Sequence, residues 1–402
     1  MLIPHLHRQL LELDAAGLRR RPRTVASPCA PQVTLASGQA LLAFCSNDYL
    51  GLAHHPTLVA ASSEGVQRWG VGSGASHLVS GHTQAHADLE NDLARWFAPH
   101  IPGARALVLG SGYAANLALM TALADGQTTI FSDKLNHASL IDGSLLAPAA
   151  KRLRYPHGAL EVLERQLRAC DTPIKLIVTD AVFSMDGDVA DVPALLALAE
   201  AHDAWLVLDD AHGLGVLGAH GHGTLEHFGL CSERLIVMGT LGKAAGVAGA
   251  FVAAHPTIIA WLVQRARSYI YTTAMPAVQA HTLRASLALI ESPEGDARRA
   301  HLRNLLAQWR AGVQPLLAQR PDWSLPDSYT AIQPLVVGGN ETALRLSAAL
   351  EAQGLWVPAI RPPTVPVGTA RLRITFSAAH SMADVAQLLH ALADVAQHLE
   401  PA

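Results

Sequence analysis

Between Ala104 and Ala254 the sequence repeats one pattern: a short apolar run, a turn of small and polar residues, then a stretch of helical periodicity. The apolar runs are Ala104–Leu109, Thr128–Asp133, Ile174–Thr179, Trp205–Asp209, Arg234–Thr240 and Gly249–Ala254. Runs of this kind suit strands covered on both faces, and their alternation with helices spells βαβ units. The fold class expected is therefore α/β, a mostly parallel central sheet covered by helices. Sheets of this class bind ligands outside the carboxyl ends of their strands. Two of the runs crowd their polar residues there: Trp205-Leu-Val-Leu-Asp-Asp-Ala-His212 and Arg234-Leu-Ile-Val-Met-Gly-Thr-Leu-Gly-Lys243. Asp209, His212, Thr240 and Lys243 are thus expected to share one site.

Lys243 lies among Gly242, Ala244 and Ala245, with no acid near it in sequence. Burial there lowers a lysine's pKa and makes a Schiff-base nucleophile; a lysine snorkelling from a strand end is the alternative. The run Gly239-Thr-Leu-Gly-Lys243-Ala lacks the spacing and the Ser/Thr of a P-loop. Upstream, Gly110-Ser-Gly112-Tyr-Ala-Ala115 joins a strand to a helix. A helix start offers free N–H groups and a positive dipole end to a phosphate. That turn also fits the dinucleotide pattern GxGxxA, and Asp133 ends the next strand, so an NAD-dependent dehydrogenase has to be weighed. Against it, this βα unit begins about a hundred residues into the chain instead of opening a cofactor domain. Pyridoxal phosphate (PLP) needs an amine, an acid for its ring nitrogen and a phosphate cradle. Lys243, Asp209 and Gly112 supply all three; the dehydrogenase reading explains only the last.

The remaining chain adds context. It has 402 residues, half of them hydrophobic, so a large core can be buried. A net charge of −4 and the absence of a domain-scale basic surface argue against nucleic acid as a partner. Four scattered cysteines fit reduced thiols in a cytoplasm; no signal-peptide layout or membrane-length apolar run stands out. His82 and His86 are four residues apart, but without a third ligand no metal site is expected. An amphipathic helix over residues 1–20, ending at the basic run Arg19–Arg21, leads into the strand-and-turn stretch Leu41–Leu52. Beyond Pro293 the pattern becomes α+β: helix Glu294–Gln319, strand Ile332–Val337, helix Thr342–Gln353, strands Leu355–Ile360 and Ala370–Phe376, and helix Met382–Leu399. The division expected is an arm over 1–50, a cofactor-binding α/β domain over 51–290 and a smaller α+β domain over 291–402. In the last, prolines stiffen Ile360-Arg-Pro-Pro-Thr-Val-Pro366, which suits Arg361 to clamping a carboxylate.

Seven segments, in order, resemble the α-oxoamine synthases, fold-type I PLP enzymes. They are Ser46-Asn-Asp-Tyr-Leu-Gly-Leu52, Gly72-Ser-Gly74 with Leu78-Val-Ser-Gly81, Asn136-His-Ala-Ser139, Phe183-Ser-Met-Asp-Gly-Asp188, Asp209-Asp-Ala-His-Gly213, Thr240-Leu-Gly-Lys243 and Arg361-Pro-Pro-Thr-Val-Pro366. The resemblance implies that Lys243 carries PLP and moves protons at the substrate Cα. It implies that Asp209 holds the ring nitrogen, that His137 stacks on the ring, and that Ser184 and His212 contact the ring-hydroxyl side. Thr240 and the Gly112 and Tyr113 amides would bind phosphate. Thr272 or Thr273 would reach the phosphate of a partner subunit, in a homodimer with its sites at the interface. Arg361 would clamp the amino-acid carboxylate, with Asn47 also on the substrate; Thr364 and an arginine of the run, taken as Arg19, would face the acyl chain. The Asp-Asp-Ala-His-Gly and Pro-Pro-Thr-Val-Pro forms favour the member that condenses L-alanine with a pimeloyl thioester of acyl carrier protein (ACP) or CoA. A sibling joining glycine to acetyl-CoA or succinyl-CoA is the alternative.

Overall fold

The computed structural model describes residues 1–398. Its centre is a seven-stranded sheet in the order Arg105–Leu109, Ala250–Ala254, Leu235–Thr240, Trp205–Asp209, Ile174–Asp180, Thr128–Asp133, Lys151–Tyr155. From Leu235–Thr240 to Lys151–Tyr155 every pairing is parallel. Ala250–Ala254 runs against both of its neighbours. The link from Thr240 to Ala250 is too short for a helical crossover, so the chain returns antiparallel. That short link carries Lys243.

Alternate strand residues face opposite apolar layers. Ile177, Leu206, Leu208, Leu235 and Val237 belong to one buried cluster; Leu176, Val178, Val207, Ile236 and Met238 belong to the other. Each fully buried aliphatic side chain contributes about 1.5–3 kcal/mol. Both layers therefore hold the strands in register and fix the level of their ends. In that register Asp180 stands opposite Asp209, and Asp209 opposite Met238.

Several elements were hidden in the sequence, helix Pro56–Trp69 among them. Helix Ala138–Leu146 follows the His137 turn, and Lys151–Tyr155 is an edge strand whose outer residues are mostly charged and exposed. Charges on an edge discourage pairing with another chain and erase the apolar signal. The strand expected over Leu355–Ile360 is split: Leu355–Trp356 pairs with Ala40–Ala43, and Ala359–Ile360 pairs with Ala370–Thr375. Pro358 lies between them without an N–H to donate. The first helix is Leu2–Ala15, none of it buried, and it ends before Gly17, whose φ is +64°. Helix Met382–Gln397 closes the described chain; its expected end, Leu399, lies outside the described residues. Among the described helices none is long and apolar enough to cross a membrane.

Candidate active site

The strand ends bring four of the expected residues together. Asp209, the last residue of its strand, is buried. Its Oδ1 accepts from the Ala211 N–H at 3.0 Å, and its Oδ2 from Asn116 Nδ2 at 2.7 Å. Asp180, one strand over, accepts from the His137 N–H at 2.6 Å; burial, then the Asp209 charge, pushes its pKa well above the usual carboxylate range. Lys243 Nζ lies 2.9 Å from His212 Nε2. Burial brings the lysine's pKa down to about 8, against the upward pull of Asp209 and Asp180. Burial and the Lys243 charge hold His212 well below the ordinary histidine value. His137 caps helix Ala138–Leu146, its Nδ1 accepting from the Ser139 N–H at 3.3 Å; burial lowers its pKa despite Asp209.

Two cavities meet at these groups. The inner one, about 180 Å³, runs from Gly112, Tyr113 and Thr240 to Asp209. The outer one, about 790 Å³, is lined by Asn47, Ser184, Thr364 and Arg373. His137, His212 and Lys243 line both. At the far end of the inner cavity, Ser111 caps helix Gly112–Leu123 by accepting from the Ala114 N–H at 3.2 Å. The Gly112 and Tyr113 amides lie in that first turn, where no helical carbonyl precedes them. A Cβ on Gly112 would stand 3.6 Å from Met238 Cε and 3.9 Å from Thr240 Cβ, at the cavity wall.

Other expected residues lie elsewhere. The Arg361 guanidinium donates to the Gly17 carbonyl, and Arg361 is not among the residues lining the outer cavity. Two arginines line it, Arg154 and Arg373. Arg154 donates to the Lys134 carbonyl at 2.8 Å. Arg373 Nε donates to the Ser184 carbonyl at 2.6 Å, and both terminal nitrogens reach Asn47 Oδ1 at 3.4 Å. Its sequence signal was slight: Arg371 and Arg373 alternate in Ala370–Thr375, a strand buried along its whole length. Arg19 pairs with Asp14 at 2.5 Å, outside both cavities. Thr272 and Thr273 are exposed, and Thr273 bridges to Ser76. His82 and His86 stack at 5.5 Å beside a separate cavity of about 850 Å³ that contains none of the expected site residues. No group of metal-ligating side chains occurs among the described residues.

A family model described as aminotransferase class I and II matches residues 39–392. The curated 8-amino-7-oxononanoate synthase of Leptothrix cholodnii is 65% identical over 408 residues, covering 99% of this chain and 100% of that protein. A high-resolution structure of SPT with PLP superposes with a TM-score of 0.89 at 27% identity, covering 98% of this chain and 97% of the other. The structure of 8-amino-7-oxononanoate synthase from Francisella tularensis gives a TM-score of 0.75 at 29% identity, over 89% of this chain and 98% of the other.

Proposed function

The chain belongs to the class I and II aminotransferase family, and from that premise we propose that it is a PLP-dependent acyltransferase with the 8-amino-7-oxononanoate synthase activity of biotin synthesis. It condenses L-alanine with a pimeloyl thioester of ACP or CoA, releasing CO2 and the free thiol carrier. The observation that carries the chemistry is a buried acid and a half-buried amine at the ends of adjacent parallel strands, where two cavities join. The near-full-length relatives of that activity support the choice of substrates.

The residues present fit the cofactor. The free amides at Gly112 and Tyr113 and the Thr240 hydroxyl suit a phosphate, Asp209 suits a pyridinium nitrogen, and Lys243 suits the aldehyde carbon. When bound, PLP supplies the electron sink that stabilises negative charge at the substrate Cα.

The chain's own groups do the rest. Asp209, fixed by Asn116 and the Ala211 amide, would set its carboxylate against the ring nitrogen, which is preorganised electrostatic stabilisation. Lys243, with a pKa near about 8, is poised to take and return the Cα proton. His137, lining both cavities, would cover the ring and bond the reacting carbonyl, and His212 and Ser184 would hold the side of the ring hydroxyl. We assign the amino-acid carboxylate to Arg373, with Asn47 beside it, because Arg373 lines the cavity against Asn47, whereas Arg154, the other lining arginine, donates to the Lys134 carbonyl and Arg361 to the Gly17 carbonyl. Thr364 lines the outer cavity on the acyl side. Arg19 would serve the acyl chain only after leaving Asp14. Arm 1–50, α/β domain 51–290 and C-terminal domain 291–402 then divide the work, and the molecule acts as a homodimer in the cytoplasm.

Two measurements test this. Borohydride should fix the cofactor covalently on Lys243, read by mass spectrometry. Turnover should require alanine with a pimeloyl thioester; CO2 released only from glycine with acetyl-CoA or succinyl-CoA would move the protein to a sibling activity.

A further inference from the structure

From Lys243 a line of side chains runs into the arm: His212 and Asn47 line the outer cavity, and Tyr49 lies behind them. Tyr49 is wholly buried, and its hydroxyl lies 2.7 Å from His212 Nδ1 and 3.1 Å from Asn47 Oδ1. Both terminal nitrogens of Arg373 face the same Asn47 atom at 3.4 Å. A guanidinium only donates, so that atom is the amide oxygen, an acceptor. A phenol has one hydrogen. Given to Asn47, it leaves the Tyr49 oxygen to accept from His212. Burial keeps His212 neutral, so its ring carries a single N–H. With that hydrogen on Nδ1, Nε2 is bare and accepts from Lys243 Nζ at 2.9 Å. Every donor then points one way: Lys243 to His212, His212 to Tyr49, Tyr49 to Asn47.

We propose that Tyr49 is a positioning residue that fixes His212 as the Nδ1–H tautomer, so that Nε2 accepts from the Lys243 amine, with Asn47 as the terminal acceptor of the line. This rests on the reading of Lys243 as the reactive amine. Without the phenol, a buried Nδ1–H has no acceptor and its desolvation goes uncompensated. The proton then moves to Nε2, where it confronts another donor on Lys243. Loss of that acceptor disfavours the charged ammonium.

The test is Tyr49→Phe, which removes one oxygen and keeps the ring. Nitrogen-15 histidine NMR of the cofactor-free protein, with His212 assigned through His212→Gln, should show Nδ1–H in the parent and Nε2–H in the variant. Labelling of Lys243 by trinitrobenzenesulfonate against pH should have its midpoint near about 8 in the parent. In the variant it should fall by about half a pH unit or more. In loaded enzyme kcat should drop about tenfold while the alanine KM changes by less than about threefold. Asn47→Leu, which frees the phenol hydrogen for Nδ1, should reproduce the Nε2–H tautomer, and Asn47→Asp should retain Nδ1–H. An unchanged tautomer and an unchanged labelling midpoint in Tyr49→Phe would overturn the proposal. Failure of the underlying reading shows separately, as absence of cofactor fixed on Lys243 by borohydride.

Discussion

Lys243 is held between opposing influences: burial favours its neutral form, and Asp209 and Asp180 favour its charge. Lys243→Ala should therefore abolish turnover and borohydride fixation while leaving a folded protein, checked by circular dichroism and single-turnover assay. Asp209→Asn keeps the shape but removes the charge, and its single amide oxygen can accept from Asn116 or from the Ala211 N–H but not from both. A fall in kcat of about a hundredfold is expected, the scale of losing one preorganised electrostatic partner. The two arginines give a sharper comparison. Arg373→Lys should raise the alanine KM about tenfold or more, since lysine cannot offer a two-pronged donor. Arg361→Ala should leave that KM unchanged, in steady-state assays at saturating thioester. Lys243, Asp209 and His212 were legible because a strand end followed by small residues marks them. Arg373 was not: a buried arginine alternating with leucine and isoleucine looks in sequence like any polar residue on a strand's outer face, and only tertiary packing turns it inward.

At the scale of elements, the segment that presents Ser184 is gripped from several sides. His157 bridges Asp133 at 3.1 Å and Asp188 at 2.9 Å, with the Phe183 ring edge-on at 4.3 Å. Arg371 donates to the Met185 carbonyl at 3.2 Å and pairs with Asp186, while Arg373 holds the Ser184 carbonyl. Gly187 closes the turn with φ +73°, where a Cβ would come within 2.3 Å of the Ile332 carbonyl oxygen. Hydrogen bonds to Asp133 and then Asp188 push the His157 pKa up to about 10. A raised folded pKa stabilises fully below the unfolded histidine value of about 6.5 and loses that contribution as pH rises to about 10. His157→Gln should cost about 1–2 kcal/mol near pH 6.5 after allowance for solvent screening, and much less near pH 10. Denaturant titrations across that range check it, and a constant difference would show that the bridge is not ionic. The same region shows where element reading stops. His157 follows Lys151–Tyr155, a strand whose charged exterior hides it, whereas the buried strands announced themselves by composition.

The site as a whole is assembled from distant parts of the chain: Asn47 from the arm, Asp209 and Lys243 from the sheet, Thr364 and Arg373 from the C-terminal region. Local patterning reports strands and helices well, but the docking of segments hundreds of residues apart leaves no periodic trace, and neither does a second subunit. The surface does carry one. Val71, Val79 and Tyr271 are 74%, 79% and 73% exposed. The two segments that carry them are adjacent, since Ser76 bridges to Thr273 and the Ala274 N–H donates to the Ala75 carbonyl at 3.1 Å. Exposed apolar side chains gathered in this way mark interaction sites. In the proposed homodimer this surface would lie between subunits and would bring Thr272 or Thr273 toward the partner's phosphate end. Burying one valine contributes about 1.5–3 kcal/mol, and a two-fold interface feels each substitution twice. Val79→Asp should thus shift light-scattering mass from dimer to monomer at micromolar concentration, with turnover falling in step and recovering as the protein is concentrated. A monomer that turns over at the full rate would mean that each subunit completes its own phosphate site.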